Sequence, residues 1–275
     1  MRVKRRHCDF CGKYYEGRGD NYCGKDCRDG AGRGYRVVAF GCAHLEYGFV
    51  DPAYLVAERF VREVKPDILI LLGDYMDFGC ISHWNKTKPR LTEQKRYLSD
   101  CDWGRGRLEK LRPHARRTVY LKGNHEDWLY QFIDENPVLE GKMSLGKDLG
   151  LDEMGIEAVR LNAVLSVGSL NFAHGWYVNE YHAAKHLRVM GDHIFYVHTH
   201  NHQVHTAPVR PERTPHTAMS LGCLCSRNPG YLKNKPSNWI NGLGVFEVRG
   251  DGSFNPYFVP IINNACTYGG ETWKV

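Results

Sequence analysis

The chain has 275 residues, 42% of them hydrophobic and 25% charged, a globular balance that excludes a disordered polymer and leaves room for one sizeable α/β domain plus a small module. No run of eighteen apolar residues occurs and "MRVKRRHCDF" lacks the apolar core of an export signal, so the expectation is a soluble cytoplasmic protein with no membrane contact. Net charge is +6, and residues 1–36 alone hold ten Lys/Arg against five Asp/Glu, so nearly all the excess lies at the N-terminus.

The first predicted element is "CDFCGKYYEGRGDNYCGKDCR". Its cysteines fall as Cys8-x2-Cys11 and Cys23-x3-Cys27, each pair beside a glycine. Two close thiolate pairs suit a tetrahedral Zn²⁺, and in a chain without an export signal metal binding is a better reading of ten cysteines than disulfides. The segment has too few apolar residues for its own core, so a structural zinc is expected to supply much of the folding energy of a module spanning residues 1–33. It resembles treble-clef-like zinc modules. Its basic residues, interleaved with Tyr14, Tyr15 and Tyr22, suit nucleic acid, although four thiolates give the zinc site a formal negative charge; a structural or protein-docking knob is the alternative. "DGAGRGY", 29–35, reads as a glycine-rich linker.

Strand and helix patterns then alternate over 34–275. "YRVVAF" is a strand. "DPAYLVAERFVREVK" is a helix with an Asp cap, proline at its first position and helical apolar spacing. "PDILILLGD" is a buried strand ending in a turn, and "RTVYLKGNHE" repeats the plan. "AVLSVGSLNFAHG" reads as a strand pair, and "NEYHAAKHLRVMG" as a helix from Asn179 to before Gly191. "HIFYVHTH" is a further strand, and "GLGVFEVRGDGSFNPYFVPI" a hairpin turning at Gly250–Gly252. The class is α/β with a sheet-rich C-terminal half.

Five strand-like runs end in metal-ligand residue types. They deliver Cys42 and His44; Asp74 and Asp77; Asn124, His125 and Glu126; His174; and His198 and His200. Open α/β sheets gather ligands beyond the carboxyl ends of their strands, so one shared centre is expected. Cys80, Cys101, Cys223, Cys225 and Cys266 are read as small buried apolar residues; the "CLC" pair is not expected to reach one ion, because alternate residues of a strand share a face without converging. His182, His186, His193, His205 and His216 are read as surface or packing residues, whereas His202, two residues past His200, is placed to touch substrate.

The ordered motifs at 42–44, "GDYMD", "GNHE", a lone histidine in "FAHG" and "VHTH" resemble those of calcineurin-like metallophosphoesterases, from about residue 36 to about 205. "GNHEDWLYQF", "SLGCLC" and "PSNWINGLGVFEV" resemble the phage-type subgroup. The resemblance implies a four-layer αββα sandwich over residues 34–275 and two divalent ions (Mn, Fe, Zn or Ni) in the active site. His44, Asp74 and His200, with the residue at 42, would hold one ion; Asp74 would bridge to a second held by Asn124, His174 and His198. A metal-bridged hydroxide would attack the ester, with His125 assisting. Asp77 would orient His125 and raise its pKa. Val197 stands where the family has glycine.

The family has aspartate where this chain has Cys42. Thiolate suits Zn²⁺ or iron and suits Mg²⁺ or Ca²⁺ poorly. Three readings follow: a ligand that selects softer metals, a non-ligand that weakens the first position, or a disabled site in a binding protein. Retention of the non-ligand His125 favours the first. Protein phosphatases of the family place arginines where this chain has Phe78 and Lys122, which favours a phosphodiester, nucleotide or nucleic acid, as substrate. Asn124, Lys122, His83 and His202 are the expected substrate contacts, and "HWNKTKPR" adds cations and an aromatic that suit single-stranded nucleic acid. The alternatives are a phosphomonoesterase acting on proteins or nucleotides, and a nucleic-acid-binding protein with a relic site.

Overall fold

The computed structural model describes residues 5–8, 10, 14–16 and 22–275. A six-stranded sheet runs in the order Phe254–Pro260, Gly242–Val248, Tyr35–Phe40, Ile68–Leu71, Arg117–Leu121, Glu157–Val159. The last four strands are parallel, while Gly242–Val248 runs antiparallel to Tyr35–Phe40 with Val245 opposite Val38. A five-stranded sheet runs in the order Val204–Thr206, Thr217–Ser220, Ile194–Tyr196, Leu170–Phe172, Leu165–Val167.

The period of two in each strand sets the layers. Val37, Ala39, Ile68, Ile70, Val119 and Leu121 face the second sheet and pack on Val167, Leu170, Phe172 and Phe195. Their neighbours Val38, Phe40, Leu69, Leu71 and Tyr120 face the opposite way, onto Tyr54, Phe60, Val61, Leu108 and Leu111 of the helices Pro52–Val64 and Tyr97–Leu111. The outer face of the second sheet is covered by Ala183 and Leu187 of the helix His182–Met190. The result is the expected helix–sheet–sheet–helix sandwich, in which each large side chain fully buried contributes about 1.5–3 kcal/mol.

The helix at 52 starts as its sequence indicates: Pro52 opens it and the Asp51 carboxylate accepts the Ala53 N–H at 2.9 Å. The helix expected from Asn179 begins three residues later, at His182. Gln203 takes over the cap from outside, accepting the Ala183 N–H at 2.7 Å and donating to the Glu180 carbonyl at 2.8 Å. A final hairpin, Ala265–Tyr268 with Glu271–Lys274, has no clear sequence signal; it sets Trp273 4.7 Å from the Phe60 ring.

At the N-terminus Arg5–His7 pairs with Tyr14–Glu16, and a helix spans Lys25–Gly32. The glycine-rich stretch expected as a linker is therefore mostly helical. Gly30 is there because it lies against Phe10, whose Cε1 would be 2.7 Å from an added Cβ. Phe10 in turn packs edge-on to Tyr35 and under the Arg116 guanidinium, tying the module to the main sheet. The sulfurs of Cys8, Cys23 and Cys27 lie within 4.8 Å of one another, compatible with a small metal module; Cys11 lies outside the described residues. No helix among the described residues is long and apolar enough to cross a membrane.

Candidate metal centre

The parallel strands stop at one edge, and the backbone that leaves them is strained. Cys42, His44, Asp74, His198 and His200 all have φ between 47° and 72°, the left-handed region, at a cost of order 1–3 kcal/mol each. That strain turns consecutive donors toward one point. The turns need glycine as well. A Cβ on Gly123 would stand 2.2 Å from Asp74 Oδ1, and one on Gly73, at φ 92°, 2.5 Å from the Gly123 nitrogen.

Asp74 lies at the middle. Its Oδ2 is 3.3 Å from His174 Nε2 and 4.0 Å from His44 Nε2, while Oδ1 accepts the His125 N–H at 2.9 Å. Although burial opposes its charge, the surrounding histidines His174 and His125 hold its carboxyl well below the usual range. On one side, His174 Nε2 is 3.1 Å from both Asn124 Oδ1 and His198 Nδ1. On the other, His44 Nε2 is 3.2 Å from His200 Nε2. Two nitrogens bound about 2.05 Å from one tetrahedral ion stand about 3.3 Å apart, so both pairs have the spacing of donors sharing a cation.

The electrostatics fit the same occupant. Burial, then the His174 neighbour, lowers His198 to about 4, and burial and His44 hold His200 well below its ordinary value. Both rings are thus neutral donors at neutral pH. His174 gives its Nδ1–H to the Leu72 carbonyl at 2.8 Å, which leaves Nε2 as the donor. Cys42 Sγ accepts the His198 N–H at 3.2 Å and clusters with His44 and His200, and also with Asp74 and His174. Burial and the Asp74 charge push its thiol well above the ordinary value, so a thiolate here needs a cation beside it. The donor set of nitrogen, oxygen and sulfur suits divalent transition metals: His44 and His200 lie on one side, Asn124, His174 and His198 on the other, with Asp74 between them and Cys42 within reach of both.

Glu126 has a different task. Fully buried at the start of the helix Asn124–Glu135, its carboxylate accepts the N–H groups of Asp74, Tyr75, Met76 and Gly123 and the Tyr120 hydroxyl, at 2.7–3.1 Å. It ties two ligand loops together. The sequence held a signal for this, since Glu three residues after Gly123 has capping-box spacing.

The orientation of His125 differs from the sequence expectation. Its Nδ1–H goes to the Asp77 main-chain carbonyl at 2.7 Å, not to the carboxylate, whose Oδ1 lies 3.6 Å from His125 and 3.5 Å from His44. Its pKa is lowered rather than raised, because burial and the neighbouring His44 outweigh Asp74 and Asp77. For His44 the balance reverses: burial works against the charge, but Asp77 and Asp74 raise its pKa.

Around this centre stand two aromatic rings to which the sequence reading gives no role. Trp128 lies 3.8 Å from His125 and Trp239 4.1 Å from His200. Of the expected substrate contacts, Asn124 is in the centre, and Lys122 holds its ammonium against the Tyr130 ring and hydroxyl. His83 stacks on exposed Trp84, and His202 is fixed by the Ser220 carbonyl and the Phe258 ring. The structure does not bring these last two into the histidine cluster.

A family model for calcineurin-like phosphoesterases matches residues 35–218. The chain is 25% identical over 233 residues to the Gene 54 protein of Mycobacterium phage L5, covering 78% of this chain and 90% of that protein. The Gene 54 protein of Mycobacterium phage D29 is 24% identical over 238 residues with the same coverage. Among solved structures, Vps29 of Chaetomium thermophilum superposes with a TM-score of 0.50 at 12% identity, over 87% of this chain and 98% of that one, a likeness of fold.

Proposed function

The chain belongs to the calcineurin-like phosphoesterase family, and from that premise we propose that it is a metal-dependent phosphodiesterase acting on a nucleotide or nucleic acid. Family membership implies metal-dependent phosphoester hydrolysis. Two divalent ions, held by the residues above, would supply the core chemistry by lowering the pKa of water and neutralising charge on phosphate oxygens. The residues of this chain position and complete that chemistry. Asp74 spans both positions, and Glu126 fixes the loops that carry it. His125, pinned through Nδ1 by the Asp77 carbonyl and kept neutral by its lowered pKa, takes up a proton at Nε2 from the attacking water before passing one to the leaving oxygen. The Asn124 side chain, besides facing His174, has an amide N–H for a phosphate oxygen.

The observation that carries the diester preference is what stands at the two places where monoester-cleaving relatives have arginine. Phe78 is fully buried and packs on Tyr97, and the Lys122 ammonium is already engaged by Tyr130. A phosphate dianion therefore finds no bidentate clamp, whereas a diester, with one charge fewer, needs none. Trp128 and Trp239 supply flat apolar walls suited to a base. The basic N-terminal module adds a candidate surface for nucleic acid. Assaying the purified protein with Mn²⁺ or Zn²⁺ on bis-p-nitrophenyl phosphate and on p-nitrophenyl phosphate tests this reading. Faster cleavage of the diester is expected; faster cleavage of the monoester would assign a phosphomonoesterase instead.

A further inference from the structure

One ring nitrogen beside the catalytic pair lacks the usual oxygen partner. A histidine that binds metal through one nitrogen normally gives the other N–H to a carboxylate, a carbonyl or water. His174 does so with Leu72. His200 does not. It presents Nε2 to His44, and its buried Nδ1 faces sulfur, with Cys225 Sγ at 3.9 Å. One ligand atom each from His200, Cys223 and Cys225 lies within 4.8 Å of the other two.

An extended strand keeps alternate residues from converging, which is why the sequence predicts no shared ion for these two cysteines. The strand ends at Ser220, however, and Gly222, at φ 70°, turns the chain where its Cα approaches the Ile240 carbonyl too closely for any side chain. The bend that follows brings Cys225 back beside Cys223. Asn241 fixes the bend, its amide donating to the Cys225 carbonyl at 2.8 Å, and the same amide stands 3.7 Å from Cys223 Sγ. The Leu224 N–H donates to the Cys42 carbonyl at 3.1 Å, so the bend lies directly against the catalytic loop.

We propose that His200 Nδ1, Cys223 Sγ and Cys225 Sγ form a separate thiolate-rich site for Zn²⁺, behind the catalytic pair. The donors suit that ion: a sulfur and a nitrogen bound to tetrahedral zinc stand about 3.5 Å apart, close to the 3.9 Å between Cys225 and His200. Besides the Cys225 thiol, Cys223 Sγ has only weak partners in the Ile240 and Cys225 carbonyls, at 3.7 and 3.9 Å, and in the Asn241 amide. Loading would release the two thiol protons and the remaining His200 ring proton to solvent, and an ion held here would fix the ring that serves the catalytic centre. The inference goes beyond the phosphoesterase reading and shares only His200 with it.

The test counts metals on the full-length, zinc-loaded protein and on Cys225→Ser and Asp74→Asn variants, with cobalt substitution to read thiolate coordination. Wild type should hold about four ions per chain: one in the N-terminal cluster, two in the catalytic pair and one here. Cys225→Ser should lose one ion, together with part of the thiolate-to-cobalt charge-transfer absorption, and keep the catalytic pair. An unchanged count and spectrum would overturn the site, as would loss of the catalytic ions with it. Should the variant not fold, the wild type decides, since three ions rather than four contradict the proposal. Failure of the phosphoesterase reading shows separately, as an Asp74→Asn count equal to wild type.

Discussion

The two sides of the centre differ in chemistry while sharing Asp74. On one side stand Asn124, His174 and His198, a set of oxygen and nitrogen donors in which His174 is held by a main-chain carbonyl. On the other stand His44 and His200, with two more thiols, Cys223 and Cys225, behind His200, while Cys42 lies within reach of both sides. The replacement of aspartate by Cys42 is therefore not an isolated exchange within an oxygen-rich site. Sulfur is concentrated on one side, which predicts unequal metal preferences for the two positions.

The largest effect should come from removing what the two sides share. Asp74→Asn is expected to abolish metal-dependent turnover and release both catalytic ions, as measured by metal content; loss of one ion alone would mean that the sides are independent. His125→Ala should keep both ions and lower kcat by about 10²–10⁴, separating proton transfer from metal binding. Glu126→Gln weakens the acceptor that fastens Asp74 to Gly123, so it should cost about 3 kcal/mol by denaturant unfolding and lower metal affinity roughly 10–100-fold on both sides.

A smaller effect, outside the centre, provides a control that does not depend on metal. His186 donates from Nδ1 to the His182 carbonyl at 2.7 Å and accepts the Trp176 N–H at Nε2 at 2.9 Å, so a second proton has no place. Burial lowers its pKa from 6.5 to about 4. The unfolded chain thus binds the proton first; the contribution of His186 is full above pH 6.5 and is lost as pH falls toward 4. The acid slope of stability should flatten in His186→Gln, measured as unfolding midpoint against pH in chelator.

Much of this was legible in the sequence because ligand types recur at strand ends, and a parallel sheet brings such ends to one edge. Cys42, His44, Asp74, Asn124, His174, His198 and His200 converge for that reason. The alternation in "YRVVAF" and "ILIL" likewise gives both faces of the sheet. What could not be read depends on departures from regular geometry. The bend after Gly222 brings Cys223 and Cys225 together where strand spacing separates them. The αL backbone at Asp74 and Phe78 lets the Asp77 carbonyl, not its carboxylate, take the His125 proton. Trp128 and Trp239 lie inside stretches that resemble the phage-type subgroup, but only the fold brings them beside His125 and His200.

The most direct test of the asymmetric phosphoesterase centre is the metal dependence of diester turnover in wild type and Cys42→Asp. Wild type should work best with Zn²⁺ or Fe²⁺ and poorly with Mn²⁺, and Cys42→Asp should shift the preference toward Mn²⁺ by roughly tenfold or more, as thiolate gives way to carboxylate. Identical metal profiles for the two proteins, or no metal-dependent turnover in either, would contradict the account.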